Sequence, residues 1–202
     1  TSANVLNSYE IEQLVGLGII WAWVGLEGKD SKYGKLKGTD TLTLVKTLQA
    51  HGIRVLGSTI IGLEEHTPEN IDEAIDHAVD HDADFHQFML YTPIPGTPLH
   101  AELQAAGTLV DPSELDHPDT HGQYRFKHRH PHITDHRETE FLMRAFHRDF
   151  DVNGPSLVRT ARTMLQGWRR YKSHPERRIR ERFAWYTRGL GTMYAGALWA
   201  AR

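Results

Sequence analysis

Cysteine is absent from all 202 residues. That gap excludes disulfides, Cys-held zinc, a thiol nucleophile and a Cys-ligated iron–sulfur cluster within these residues. No apolar run reaches the ~18 residues that a membrane-spanning helix needs, and no secretory signal is read at the start. The net charge of -3 leaves no global field favouring nucleic acid. Thr1 replaces an initiator Met and structured-looking sequence follows at once, which reads as a fragment or processed piece of a longer protein. The hydrophobic share of 39% supports a real but lean core, in one large domain or two small ones.

What is present is an alternation of strand and helix signals. Asn7-Ser8-Tyr9-Glu10 reads as a helix start capped by Asn7, with Ile11, Leu14 and Val15 on one face. Ile19 to Leu26 is a continuous apolar run of strand length, which suits a buried parallel strand and puts Trp21 and Trp23 in the core. Thr39 or Asp40 caps a helix with Leu44, Val45 and Leu48 inward, ended by Gly52. Arg54 to Ile61 is the second strand. Thr67-Pro68 opens a helix with a hydroxyl cap followed by a residue that needs no amide hydrogen. Phe85 to Tyr91 is the third strand, and Thr97-Pro98 repeats the cap. Strand and helix at this spacing imply right-handed βαβ units and a parallel sheet. Thr1 to Leu6 would be the end of a preceding strand.

The second half differs. Asp111 to Asp135 is poor in aliphatic residues and rich in His, Asp and Pro, so it reads as a long ordered excursion or a flexible loop. Three helices follow, from about Asp135, Leu157 and Ile179. The expected organisation is an α/β domain over 1–110, a His-rich connecting segment over 111–135 and a helical extension over 136–202. Three βα units do not close a barrel. The fold class is therefore α/β, a partial (β/α) barrel with parallel strands followed by an all-helical carboxyl-terminal extension.

In open or closed parallel α/β folds, chemistry sits past the carboxyl ends of the strands. Those positions here read Val24-Gly25-Leu26-Glu27, Ile60-Ile61-Gly62-Leu63-Glu64-Glu65 and Thr92-Pro93-Ile94-Pro95-Gly96-Thr97-Pro98-Leu99. With Lys37-Gly38 and Gly52-Ile53-Arg54-Val55 between them, their order and spacing resemble the radical S-adenosylmethionine superfamily, in particular its cobalamin-binding-domain subgroup. His121-Gly122-Gln123-Tyr124-Arg125-Phe126 and Arg129-His130-Pro131 resemble a segment of the same subgroup more loosely.

The resemblance implies the last three strands of a six-stranded barrel, and a protein whose amino-terminal half is a missing partner. It implies S-adenosylmethionine and a 4Fe-4S cluster as cofactors, with cobalamin in the subgroup. It also implies formation of a 5′-deoxyadenosyl radical or methyl transfer in the intact protein. The cluster ligands would lie outside this chain, which alone would be inactive. Glu27, Gly62 and Glu65 are the implied cofactor contacts. His121, Tyr124, His130 and His132 fall to the substrate, a small or lipid-like molecule. No catalytic residue and no metal ligand is assigned.

A second class of function stays open, a His-rich module that binds a metal or a partner. His117, His121, His128, His130, His132 and His136 fall within twenty residues. On a strand, His128, His130 and His132 would share one face. The tail from Arg159 carries eleven Lys or Arg against two Asp or Glu. Packing of that tail on the α/β body is favoured over attachment to an anionic membrane surface. The expected location is cytoplasmic, with a peripheral membrane position as the lesser reading.

Overall fold

Local capping chemistry sets the first elements. The computed structural model describes residues 2–26, 40–115, 124–192 and 195–196. Ser2 accepts a hydrogen bond from the Val5 amide and starts α1 (Ala3–Asn7). Glu10 and Gln13 form a reciprocal capping box that starts α2 (Ile11–Leu17), with the Gln13 side chain accepting from the Glu10 amide at 2.9 Å. Two expectations are corrected here. Residues 3–7 are helical because a hydroxyl stands ready at Ser2, and Asn7 ends that helix instead of capping the next.

β1 (Trp21–Gly25) is shorter than the apolar run that contains it. α3 (Thr41–Ala50) follows, capped by Asp40, whose carboxylate accepts from the Thr43 amide at 3.0 Å. Then come β2 (Arg54–Ile61), α4 (Ile71–Val79), β3 (Phe85–Leu90) and α5 (Pro98–Ala105). Thr97 caps α5 with proline at its first position, as its sequence implies. Thr67 instead caps a turn: its hydroxyl accepts from the Glu69 amide, and α4 starts at Ile71. The sheet order is β1-β2-β3, and β1 lies parallel to β2 with Trp21 opposite Arg54. The fold is mixed α/β with three parallel strands.

Beyond α5, a short 3-10 turn at Pro112–Glu114 leads to α6 (Glu138–Asn153), α7 (Ser156–Tyr171) and α8 (Arg177–Thr187). α6 starts later than its sequence suggests. Asp135 and His136 adopt left-handed backbone angles, φ 56° and 60°, and hold the chain out of the helix. Among the described residues no helix is long and apolar enough to cross a membrane.

The chain divides into two compact units. The first comprises Thr1–Ser58, His77–Gln87 and Asp149–Arg202. Its core joins Leu14, Val24, Leu44, Val45, Leu48 and Val55 to Tyr171, Ile179 and Phe183 of the tail helices. Gly52 and Gly167 show how closely α7 approaches the end of α3. A Cβ on Gly167 would lie 2.7 Å from the Gly52 Cα and 2.6 Å from the Phe183 ring. Only two residues without side chains permit that contact.

β1 buries Ala22 and Val24 but leaves Trp21 and Trp23 37% and 53% exposed. The two indoles are thus not core, which corrects the sequence expectation. The strand alternates and turns only its small residues inward. Trp21 keeps partial cover from Phe85, 5.2 Å away, and from the Arg54 guanidinium, 5.2 Å above its ring. Asp84, fully buried, ties the start of β2 by accepting from the Val55 amide at 2.8 Å. Burial raises its pKa above the usual carboxylate range.

The second unit comprises Thr59–Asp76 and Phe88–Arg148. Its buried apolar residues include Ile61, Leu63, Ile71, Ile75, Phe88, Phe126, Ile133 and Phe141. Phe88 meets Phe146 edge-on at 5.1 Å. Arg144 bridges Asp72 of α4 and Glu140 of α6.

Candidate functional site

The carboxyl end of β2 runs straight into a tight turn, Gly62 to His66. The His66 Nδ1 accepts hydrogen bonds from the Gly62 and Leu63 amides at 3.0 and 3.2 Å. An imidazole therefore does the work of carbonyl acceptors. Its Nδ1 lone pair is committed, so the ring proton sits on Nε2. Burial lowers the pKa of His66, with Glu65 acting in the opposite sense.

Gly62 has φ +79°, a left-handed angle that glycine adopts without strain. The space its side chain would take is filled by the Phe126 ring. Phe126 in turn stacks on His130, with centroids 5.0 Å apart and planes 16° from parallel. His130 closes the assembly. Its Nε2–H donates to the Leu63 carbonyl at 3.0 Å, and its Nδ1 accepts from the His132 and Ile133 amides at 3.1 and 2.9 Å. Both ring nitrogens are spent on the main chain, and burial lowers the pKa, so the ring is neutral.

The structure thus brings together Gly62, His130 and the His132 amide. The other site residues read from sequence stand differently. The Glu65 side chain is exposed, and its carbonyl accepts from Asn70 Nδ2 at 3.0 Å. Tyr124 is 61% exposed, and its carbonyl accepts from the Thr139 hydroxyl at 2.7 Å. The His132 ring is exposed, 6.3 Å from that of His130. Glu27 and His121 lie outside the described residues.

The histidine triplet does not form a strand. Among the described residues, its ladder contact is an isolated antiparallel bridge between Leu109 and His128. His128 and His130 are buried while His132 is exposed, so the three do not share a face as the spacing suggests. Among the described residues no group of three or more His, Asp or Glu is arranged to hold a metal ion.

A cavity of about 420 Å³ opens beside the stack, lined among others by Phe126, His128, Arg129, His130, Ile133 and Glu138. His128 is 3% exposed, and neither ring nitrogen has a hydrogen-bond partner among the described residues. Burial, aided by neighbouring His130, pushes its pKa down to about 4. Sequence reasoning missed His66 and Phe126, although His66 follows the quoted turn directly and Phe126 ends the quoted HGQYRF segment.

No protein-family model matches the chain. A stretch of 59 residues is 41% identical to part of an uncharacterized methyltransferase of Pyrococcus horikoshii. That stretch is 29% of this chain and 13% of that protein, so the similarity spans a small part of the relative.

Proposed function

We propose that this chain is part of an S-adenosylmethionine-dependent methyltransferase. More narrowly, it is the carboxyl-terminal half of a radical S-adenosylmethionine barrel over 1–110, a His-rich connection over 111–135 and a helical extension over 136–202. The observation that carries the reading is the 41% identity over 59 residues to a methyltransferase. The parallel strands support it, as do the turns of special composition after β2 and β3.

In this reading Glu27 and Glu65 are carboxylates for the polar groups of S-adenosylmethionine, which supplies an electrophilic methyl group on a sulfonium centre. Gly62 acts indirectly, by letting the Phe126 ring lie against the turn. Phe126 and His130 then form a wall with no free main-chain hydrogen bond on its Leu63 side. His121, Tyr124, His130 and His132 are assigned to a small or lipid-like substrate. His130 serves it by shape, since both of its nitrogens are occupied.

The cluster of the superfamily does not fit these residues. It needs thiolates, and the sequence contains none. No residue of this chain is assigned to cobalamin. The intact protein is placed in the cytoplasm.

The test uses the complete product of the gene that encodes these residues, prepared anaerobically and given methyl-labelled S-adenosylmethionine and a reductant. Formation of S-adenosylhomocysteine or 5′-deoxyadenosine, reduced by Glu27→Gln or Glu65→Gln, is expected. Failure to bind or turn over S-adenosylmethionine ends the reading. A Cys-x-x-x-Cys-x-x-Cys motif upstream in the same gene separates the radical subclass from other methyltransferases.

A further inference from the structure

We propose that the cavity between Arg54 and the end of α8 is a binding site for a nucleotide, a planar heterocycle that carries a phosphate. The cavity lies within the first compact unit and shares no residue with the positions assigned to S-adenosylmethionine or substrate. Binding there needs no methyl donor, so the proposal does not rest on methyl transfer.

The cavity has a volume of about 540 Å³, in the range of small-ligand pockets. Arg54, Met164, Trp185, Tyr186 and Arg188 line it, and no carboxylate does so among the described residues. Two guanidinium groups therefore border one space that holds no acid.

Arg54 gives the first contact. It is the first residue of β2 and stands opposite Trp21, the first residue of β1. The residues assigned to S-adenosylmethionine follow the last positions of β1 and β2 instead. The Arg54 guanidinium lies 5.2 Å from the Trp21 ring centroid and 5.7 Å from that of Tyr186, and its Nε donates to the Ile20 carbonyl at 3.3 Å. These contacts fix the direction of the side chain without neutralising it. Its two Nη groups donate to no described residue. Asp84 acts on it from beyond ion-pair distance, with one oxygen committed to the Val55 amide and the Gln49 side chain. Burial lowers the Arg54 pKa, with Asp84 and Tyr186 acting in the opposite sense. A half-buried cation without a paired anion is costly, and a bound anion relieves that cost.

Arg188 gives the second contact. It follows α8 directly, is exposed, and its side chain pairs with no described residue. A guanidinium fork matches two oxygens of a phosphate, and a dianion balances both arginines at once.

Trp185 gives the platform. It is 63% exposed, meets Tyr186 edge-on at 5.4 Å, and stacks on no described ring. An open indole beside cationic groups is a surface on which a base stacks. Met164 adds a soft apolar wall that adapts to the shape of the ligand.

The same lining disfavours simpler ligands. Inorganic phosphate answers the arginines and leaves the indole bare. An aromatic amine answers the indole and adds a third positive charge. An aromatic carboxylate brings one negative charge against two positive ones. A nucleotide meets both demands in one molecule.

Calorimetric titration of the complete gene product with the monophosphates of adenosine, guanosine, cytidine and uridine tests the proposal. Adenosine, inorganic phosphate and indole-3-acetate serve as comparison probes. At least one monophosphate should bind with a dissociation constant below about 1 mM, with saturating S-adenosylmethionine present. Adenosine and inorganic phosphate should each bind at least about tenfold more weakly than that monophosphate. Glu27→Gln should leave its binding unchanged. Arg54→Met keeps an unbranched stem, removes the charge and should weaken binding at least about tenfold. Arg188→Gln and Trp185→Ala, both at exposed positions, should each weaken it at least about fivefold, with the urea midpoint unchanged. The proposal fails if no monophosphate binds at about 10 mM, if S-adenosylmethionine displaces the monophosphate, or if neither Arg188→Gln nor Trp185→Ala changes binding. It also fails if indole-3-acetate binds more tightly than every monophosphate. Each of these results leaves turnover of S-adenosylmethionine to be read by its own assay.

Discussion

Arg159 and Asp149 form a two-pronged ion pair, Nη1 to Oδ1 at 2.8 Å and Nη2 to Oδ2 at 2.7 Å, with both side chains buried. His86 Nδ1 also meets Asp149 Oδ1 at 2.6 Å, and Asn153 Nδ2 donates to the same oxygen at 3.0 Å. Burial alone would raise the Asp149 pKa. The hydrogen bonds from His86 and Arg159 outweigh it and hold the carboxyl well below the usual range. Removing one member leaves an uncompensated buried charge, which typically costs about 3–5 kcal/mol. Arg159→Leu and Asp149→Leu should each lower stability by about that amount in urea denaturation. The double variant should lose less than the two single losses added, because the partners act as a unit. Additive losses would show that the pair is not coupled.

Acid should weaken the fold in two stages. His81 is fully buried, donates from Nδ1 to the His77 carbonyl and accepts at Nε2 from the Thr41 hydroxyl. Burial pushes its pKa down to about 4, as it does for His128. Both rings are thus neutral when folded but take up a proton when unfolded below about pH 6.5. The unfolded state binds more protons between about pH 6.5 and 4, so stability falls as pH is lowered through that window. Each ring contributes a slope of up to about 1.4 kcal/mol per pH unit. Asp149, whose folded pKa is depressed, adds its loss only below about pH 4. Urea midpoints measured at pH 7, 6 and 5 should decline, and His128→Phe should flatten the decline. A flat profile in the unsubstituted chain would contradict the buried neutral state.

Two glycines in helices should respond in opposite directions to alanine. Gly167 lies inside α7, where propensity alone favours alanine by about 1 kcal/mol. Its Cβ would meet Phe183 and Gly52 at under 3 Å. Gly167→Ala should therefore destabilise by about 1–3 kcal/mol, the usual range for overpacking. Gly16 in α2 has nothing within 4 Å of its Cβ position, so Gly16→Ala should be neutral or stabilising. Thermal unfolding of both variants distinguishes close packing from propensity.

The basic tail should bind anionic vesicles weakly or not at all. Arg178 and Arg182 donate to the Gly16 and Val15 carbonyls, at 2.9 and 2.6 Å, and so cap the end of α2. Arg180 is bonded to the His174 and Pro175 carbonyls, and Arg177 pairs with Glu181. Cations held this way are poorly placed for lipid headgroups. Co-sedimentation with phosphatidylserine vesicles at low and high salt checks this. Strong, salt-sensitive binding would mean that the arginines leave these partners.

Much of the architecture is readable because it follows from side-chain chemistry close in sequence. Thr97-Pro98 names the start of α5, and the spacing of Leu44, Val45 and Leu48 names the inward face of α3. The boundaries slip where two local signals compete, as at Ser2 and Asn7. Arg159 escapes notice for a different reason. Its charge fits the solvated pattern of the tail, and its partner Asp149 lies on another helix. The amphipathic period cannot say which arginine of a basic face turns inward. The turn after β2 was placed by its composition, but its filling was not. Gly62 announces a close approach without naming what approaches, and Phe126 is 64 positions further along. Likewise, His128, His130 and His132 suggest a shared face only if the backbone is extended, which it is not.

The imidazole of His66 bears on which residues the turn after β2 tolerates. That turn requires a lone pair facing two amide hydrogens, and it requires nothing else of the side chain. An aspartate or asparagine oxygen there would meet the same demand, whereas lysine or arginine would point hydrogen at hydrogen. Replacement at position 66 is therefore governed by acceptor character and reach, and not by ring shape. A library at that codon, sorted for folded protein, should return short acceptor side chains and exclude permanent cations.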